Sequence, residues 1–173
     1  VTSGRPAPGE YAAYAQSDIE QVAGDDAVAA LRNQMEDVVS LFATLDEGSA
    51  LGRTYAAGKW TVKEVLGHLA DDERIFAYRM LCIARGDTSE LPGFDENEYM
   101  AGSIFESRPL AGVIDEYRTV RAATISLLEG LDAAGWMRRG IVNGYGTSVR
   151  GLAFHVAGHE LHHLRTLRAK YGL

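Results

Sequence analysis

Apolar residues recur at three- and four-residue steps in four separate stretches of this chain, the period of a helix that buries one face. In the first stretch Val28, Leu31, Met35, Val38, Phe42 and Leu45 follow Asp25-Asp26, which suit an N-cap and first turn, and the pattern ends near Gly48. The second opens at Thr61, whose spacing to Glu64 makes a capping box, and runs to about Arg85 before Gly86. Its inner stripe is Val62, Val65, Leu69, Phe76, Met80 and Ile83. After a loop-rich segment over 86–106, Pro109 suits a first helical turn, with Ser107 a candidate cap. Leu110, Val113, Ile114, Tyr117, Val120, Thr124 and Leu128 then mark the third helix. A glycine-rich connection with a turn at Asn143-Gly144 leads to the fourth, capped by Thr147 or Ser148. It continues to Tyr171, with Gly172 just past its end.

There is no internal repeat and no convincing run of strands. Four amphipathic helices in 173 residues predict one all-α domain over 1–173, packed as an antiparallel four-helix bundle. Residues 1–18 carry Gly4, Pro6, Pro8 and Gly9, and they read as an extended N-terminal arm that Tyr11 and Tyr14 could pin to the body.

Composition narrows the partners. The formal net charge of -7 repels phosphate backbones, so nucleic acid is an unfavoured partner and a small molecule the expected one. Cys82 is the single cysteine, which excludes an intramolecular disulfide and fits a reducing cytoplasm. No apolar run approaches the ~20 residues of a membrane span, and the N-terminal stretch lacks a signal-peptide core, so the expected location is cytoplasmic, with no membrane partner.

The candidate chemistry lies in the histidines. His155, His159, His162 and His163 fall in the fourth helix, where residues four apart share a face and two imidazoles can converge on one ion. Spacing alone allows His155 with His159 or His159 with His163. A helical wheel places His163 at the edge of the apolar arc and His159 about 40° further round. His155 and His162 fall on the polar side, which predicts exposure or a supporting role. His68 borders the apolar stripe of the second helix in the same way. A lone histidine there is usually a satisfied core residue, but beside an i,i+4 pair it becomes a candidate third ligand. Three imidazoles would leave a metal position open, as catalytic sites do. Asp72 is one turn beyond His68 and reads as a fourth ligand, an acceptor for an imidazole N–H, or a partner for Arg79. Glu160 falls near the middle of the apolar arc, where a buried ion pair or hydrogen bond is expected and a general base is the alternative. The run H-E-L-H-H at 159–163 also fits the HExxH pattern of zinc proteases.

The stretches GKWTVKEVLGHLADDERIFAYR (58–79), FDENEY (94–99) and GHELHHLRTL (158–167) resemble the DinB/YfiT-like superfamily of metal-binding four-helix bundles. The resemblance extends from EYAAYA at 10–15 to the C-terminus, and W-T-V-x-E-V-x-x-H-L together with H-E-L-H-H carries it. It implies an up-down-down-up bundle, a metal triad of His68, His159 and His163, and frequent homodimers. It also argues against a zinc-protease reading. Members of that family include metal-dependent S-transferases acting with bacillithiol or mycothiol, a mycothiol-dependent maleylpyruvate isomerase, and proteins described as hydrolases or as DNA-damage-inducible. The expected function is therefore a metal-dependent transferase using a low-molecular-weight thiol. A metal-dependent hydrolase and a non-enzymatic metal-binding stress protein are the alternatives. Imidazoles suit zinc, nickel, copper and iron, with zinc or nickel the expectation. Arg79, Asp95 and Tyr99 are candidate substrate contacts.

Overall fold

The computed structural model describes residues 3–173, with Leu51 and Gly52 described for their backbone alone. The first two residues of the expected arm lie outside the described residues. The helices are α1 (Gln16–Ile19), α2 (Ala27–Ala43), α3 (Glu47–Gly52), α4 (Val62–Ala84), α5 (Glu96–Ala101), α6 (Leu110–Glu129), α7 (Ala133–Met137) and α8 (Val149–Thr166), the last continued as a π-helical turn over Leu167–Tyr171. No helix is long and apolar enough to cross a membrane among the described residues.

The helix ends follow from local chemistry. The Asp26 carboxylate accepts from the amides of Val28 and Ala29, and Thr61 with Glu64 forms the expected capping box. Ser148, rather than Thr147, caps α8 by accepting from Gly151 N. Gly172 ends the chain's last helical turn in the left-handed region, φ 72°. Two expectations shift. The first helix stops at Ala43, and Asp46 starts the separate turn α3 by accepting from Ser49 N. Pro109 occupies the N-cap position of α6 and has no capping side chain, while Ser107 Oγ donates to Ile104 O instead. The Glu47 carboxylate of α3 supplies the missing acceptor, 2.8–3.0 Å from Leu110 N, and also accepts from Lys63 Nζ at 2.7 Å. A distant residue therefore caps α6.

α4 packs between α6 and α8, and α2 completes the ring between the same two. Lys63 Nζ donates to the Arg108 carbonyl, and Glu73 pairs with Arg121 further along, so α4 and α6 run parallel. His68 meets His163 while Phe76 meets His155, so α8 runs antiparallel to α4. Gln34 donates to the Ala157 carbonyl, Leu31 shares a cluster with Ala153, and Phe42 shares the other with Leu164, so α2 runs with α8. The bundle is up-down-down-up, as the resemblance implies.

Two apolar clusters fill it. One contains Leu31, Phe76, Met80, Leu128 and Phe154, and the other Val38, Phe42, Leu66, Val113 and Leu164. A polar layer separates them. Arg121 of α6 donates through Nε to both Glu73 oxygens (2.8 and 2.9 Å), through Nη2 to Glu160 Oε2 (2.7 Å) and through Nη1 to the Leu31 carbonyl (3.0 Å). Tyr117 donates to the same Glu160 oxygen at 2.7 Å. Glu160 is thus the buried ion pair and hydrogen bond that its place in the apolar arc implied. Burial pushes the Glu73 carboxyl up, with Arg121 opposing.

Outside the helices, β1 (Arg139–Val142) and β2 (Tyr145–Ser148) form an antiparallel hairpin around the Asn143-Gly144 turn, with φ values of 50° and 78°. The turn is the expected one. The strands were not expected, because four-residue segments with glycine in both show no alternation. Gly140 is needed where it packs, since a Cβ there would lie 2.7 Å from the Ile83 side chain.

The arm is extended only in its first half; Ala13–Ala15 and Gln16–Ile19 are helical turns laid across α8. Close backbone approach makes this possible, because a Cβ at Gly158 would lie 2.5 Å from the Asp18 backbone. Polar contacts, more than Tyr14, hold the arm down. Glu10 accepts from Arg150 Nε and Nη2 (2.7 and 2.5 Å) and from Ser148 Oγ (2.7 Å). Arg5 donates to the carbonyls of Ile19, Val22 and Gly24.

Removing one partner of a buried ion network leaves the others uncompensated. Arg121→Met is therefore expected to cost about 3–5 kcal/mol, read by urea denaturation; a loss under ~1 kcal/mol would contradict the structural role given to Arg121. The hydrogen bond from Arg150 first, opposed by burial and joined by Ser148, lowers the Glu10 carboxyl from 4.5 to about 2. Because its folded value is depressed, its contribution is complete above about 4.5 and fades as pH falls towards 2. Wild type should lose stability through that window more steeply than Glu10→Gln, and equal slopes in acid denaturation would remove the assignment.

Candidate metal centre

α4 and α8 bring His68, His159 and His163 together in one bundle layer. One nitrogen of each lies within 4.8 Å of the others'. His159 Nε2 is 3.3 Å from His68 Nε2 and 3.0 Å from His163 Nε2. Two imidazoles on a tetrahedral ion with bonds of ~2.05 Å hold their nitrogens about 3.3 Å apart, so the donor set fits a small divalent cation. The burial of His68 with the neighbouring His159 lowers its pKa to about 4, and the same two causes lower His163 to about 2. Both rings are therefore neutral and offer lone pairs near neutral pH.

His159 is oriented by a carboxylate. Asp72 Oδ2 lies 3.2 Å from His159 Nδ1, so Nδ1 carries the proton and Nε2 faces the other histidines. Burial opposes protonation of His159, yet the Asp72 carboxylate outweighs it and its pKa is raised. Of the three roles open to Asp72 in the sequence, the structure shows the imidazole acceptor. Trp60 walls the site, its ring 4.8 Å from His68 and stacked 6.5 Å from His163, and its carbonyl accepts from Tyr171 OH at 2.7 Å. Glu96, at the start of α5, points Oε2 to within 3.8 Å of His68 Nε2.

Two cavities adjoin the triad, one lined by His159 and the other by His163. One, of about 410 Å³, has His159, Asp72, His155, Phe76 and Arg79 in its wall. The other, of about 300 Å³, is bounded by His163, Trp60, Tyr55, Lys59 and Lys170. Glu96 and Asn97 line both.

His162 is exposed, as the wheel suggests, with Nδ1 3.4 Å from Asp18 Oδ1; its ring packs edge-on against His163 at 5.4 Å, and it lines the smaller cavity without joining the triad. His155 differs from expectation. It is 8% exposed, packs edge-on against Phe76 (4.8 Å) and Tyr14 (5.7 Å), and lines the larger cavity. The wheel misplaces it because Tyr14 and α1 cover the outer face of α8. Asp95 caps α5 through the amides of Asn97 and Glu98 and lines the larger cavity. Tyr99 is exposed and packs on Phe94, outside both cavity walls. Glu96 and Trp60 went unassigned in the sequence, although the acidic FDENEY run with a capping aspartate signals a short helix whose first residue is Glu96.

Residues 30–167 match the sequence profile of the DinB superfamily. This chain belongs to the DinB superfamily. The DinB fold is also apparent in a likeness to YfiT from Bacillus subtilis, described as a probable metal-dependent hydrolase with an unusual four-helix bundle topology. The two share a TM-score of 0.68 over 96% of this chain and 93% of that one, at 17% identity. No protein of curated function matches this chain significantly.

If the three imidazoles hold an ion, purified protein should contain about one divalent metal per chain by elemental analysis, and His163→Ala should lose it. Asp72→Asn should keep the fold while weakening metal affinity by roughly 10–100-fold, as loss of a ligand-orienting carboxylate does. Undiminished metal in His163→Ala would contradict the triad.

Proposed function

We propose that this DinB-superfamily chain is a metal-dependent enzyme that transfers a group between a low-molecular-weight thiol and a small electrophile. A divalent ion, zinc or nickel on the chemistry of three imidazoles, would be held by His68, His159 and His163. The observation that supports the reading is a pair of cavities that share Glu96 and Asn97 and are each lined by one triad histidine, so that each could take one organic substrate. An ion bound there would favour the thiolate form of a thiol and lower its pKa.

The protein's own groups supply the rest. His159 is held in one tautomer by Asp72, which keeps its Nε2 lone pair turned to the reacting centre. The Glu96 carboxylate, 3.8 Å from His68 Nε2, would take the proton as the S–H bond breaks. The sulfur forms a bond to the electrophilic carbon, the bond to the leaving group breaks, and Glu96 returns the proton to that group. Trp60 and Tyr55 give the smaller cavity apolar walls, while Lys59 and Lys170 add positive charge at its edge.

Hydrolysis is the second reading, and Glu96 favours it as well, since a carboxylate in that position can take a proton from water. The description of YfiT agrees with it. Metal-loaded protein should conjugate cysteine or a related small thiol to aryl halides or epoxides, with Glu96→Gln slowed by roughly a hundredfold or more at unchanged metal content. Turnover of esters, amides or lactones without thiol would replace transfer by hydrolysis. Silence in both assays, with unfolding on chelation, would leave a structural ion.

A further inference from the structure

The larger cavity continues along α4 away from the histidines. Asp72, Phe76 and Arg79 share one helical face and all line it. Arg79 is only 5% exposed. Its Nη2 donates to the Pro92 carbonyl at 2.7 Å, and its guanidinium carbon lies 4.9 Å from the Phe76 ring centre and 5.7 Å from that of Phe94. Unlike Arg121, it pairs with no carboxylate among the described residues. Asp72, the acid on its own face, is held by His159.

An arginine keeps its charge in a protein, and a buried cation without a counter-ion is unfavourable. The guanidinium uses one donor group on Pro92 and leaves Nε and Nη1 without a hydrogen-bond partner among the described residues. Neither nitrogen is sealed from solvent, since among the described residues Gln34 Oε1 is the sealed side-chain atom without a partner. The unused donors are therefore solvent-accessible, on a side chain that lines the cavity. Asn143, Thr147 and Tyr14 add neutral polar groups to its wall, and the acids Asp95 and Glu96 also line it. From Asp72 to Arg79 the rise along α4 is about 10 Å, so Arg79 stands two helical turns from the carboxylate that holds His159, and both line one cavity.

We propose that this cavity takes a small organic acid, whose carboxylate is held by Arg79 while its other end reaches the histidine triad. The proposal names the substrate class for the site read above as reactive, and it rests on that reading for the chemistry but not for the binding. A planar guanidinium with two free donor nitrogens matches a carboxylate through paired charge-assisted hydrogen bonds. Phe76 and Phe94 flank the pair and keep water from weakening it. The negative groups nearer the triad disfavour the reversed orientation.

The test uses matched probes: short aliphatic and arylalkyl monocarboxylic acids and their methyl esters, titrated by calorimetry and by ligand-observed NMR. Both metal-loaded and chelator-stripped full-length protein are titrated, as wild type and as Arg79→Gln and Arg79→Lys. Acids are expected to bind at least roughly tenfold more tightly than their esters, with and without metal. Arg79→Gln should abolish that preference at unchanged metal content and melting temperature. Arg79→Lys keeps the charge without the fork, should retain part of the preference, and carries the test if the glutamine variant does not fold. Equal binding of acids and esters, or an undiminished preference in either variant, overturns the proposal. So does a preference that disappears on stripping the metal, because the ion would then be the carboxylate's partner. Absence of metal from the triad would overturn the reactive-centre reading and leave acid binding at Arg79 to stand or fall on its own.

Discussion

One guanidinium joins all four bundle helices. Arg121 of α6 reaches Glu73 on α4, Glu160 on α8 and the Leu31 carbonyl on α2, in a layer with apolar clusters on both sides. The Glu160 and Glu73 carboxylates outweigh the effect of burial and raise the arginine's pKa, while burial and Glu160 raise that of Tyr117. Sliding α4, α6 or α8 by a turn would leave a charge buried without its partner. The layer therefore sets the register of the bundle, an effect that apolar packing alone specifies less sharply.

The candidate centre depends on that register. Glu73 follows Asp72, and Glu160 follows His159; consecutive residues on a helix diverge by about 100°. One member of each pair turns into the core to meet Arg121, and the other turns to the cavity, where Asp72 meets His159. The position of the histidine triad is thus locked by an ion network on the far side of the same two helices. Glu47 does similar work at the bundle end, where it joins the starts of α4 and α6 through Lys63 and Leu110 N.

The four long helices were legible in the sequence because their apolar periodicity and caps agree, most plainly at Thr61–Glu64 and Ser148. The coming together of His159 and His163 was legible from helical spacing, and that of His68 with them from the family resemblance. Other features were hidden for physical reasons. The burial of His155 depends on a segment some 140 residues away in the chain, which no wheel of α8 contains. Arg121 looks like a surface charge until two carboxylates from other helices are found beside it. The hairpin is too short for alternation to register, and the cap of α6 comes from Glu47 rather than from its own flank.

Trp60 has a further consequence. Of the chain's two tryptophans, Trp136 is buried in the apolar cluster that includes Phe76 and Met80, whereas Trp60 lies against His68 and His163. Indole emission responds to charge in contact with the ring. The protein therefore carries its own optical reporter, in which the colour and intensity of one residue's light register what occupies the space between three imidazoles.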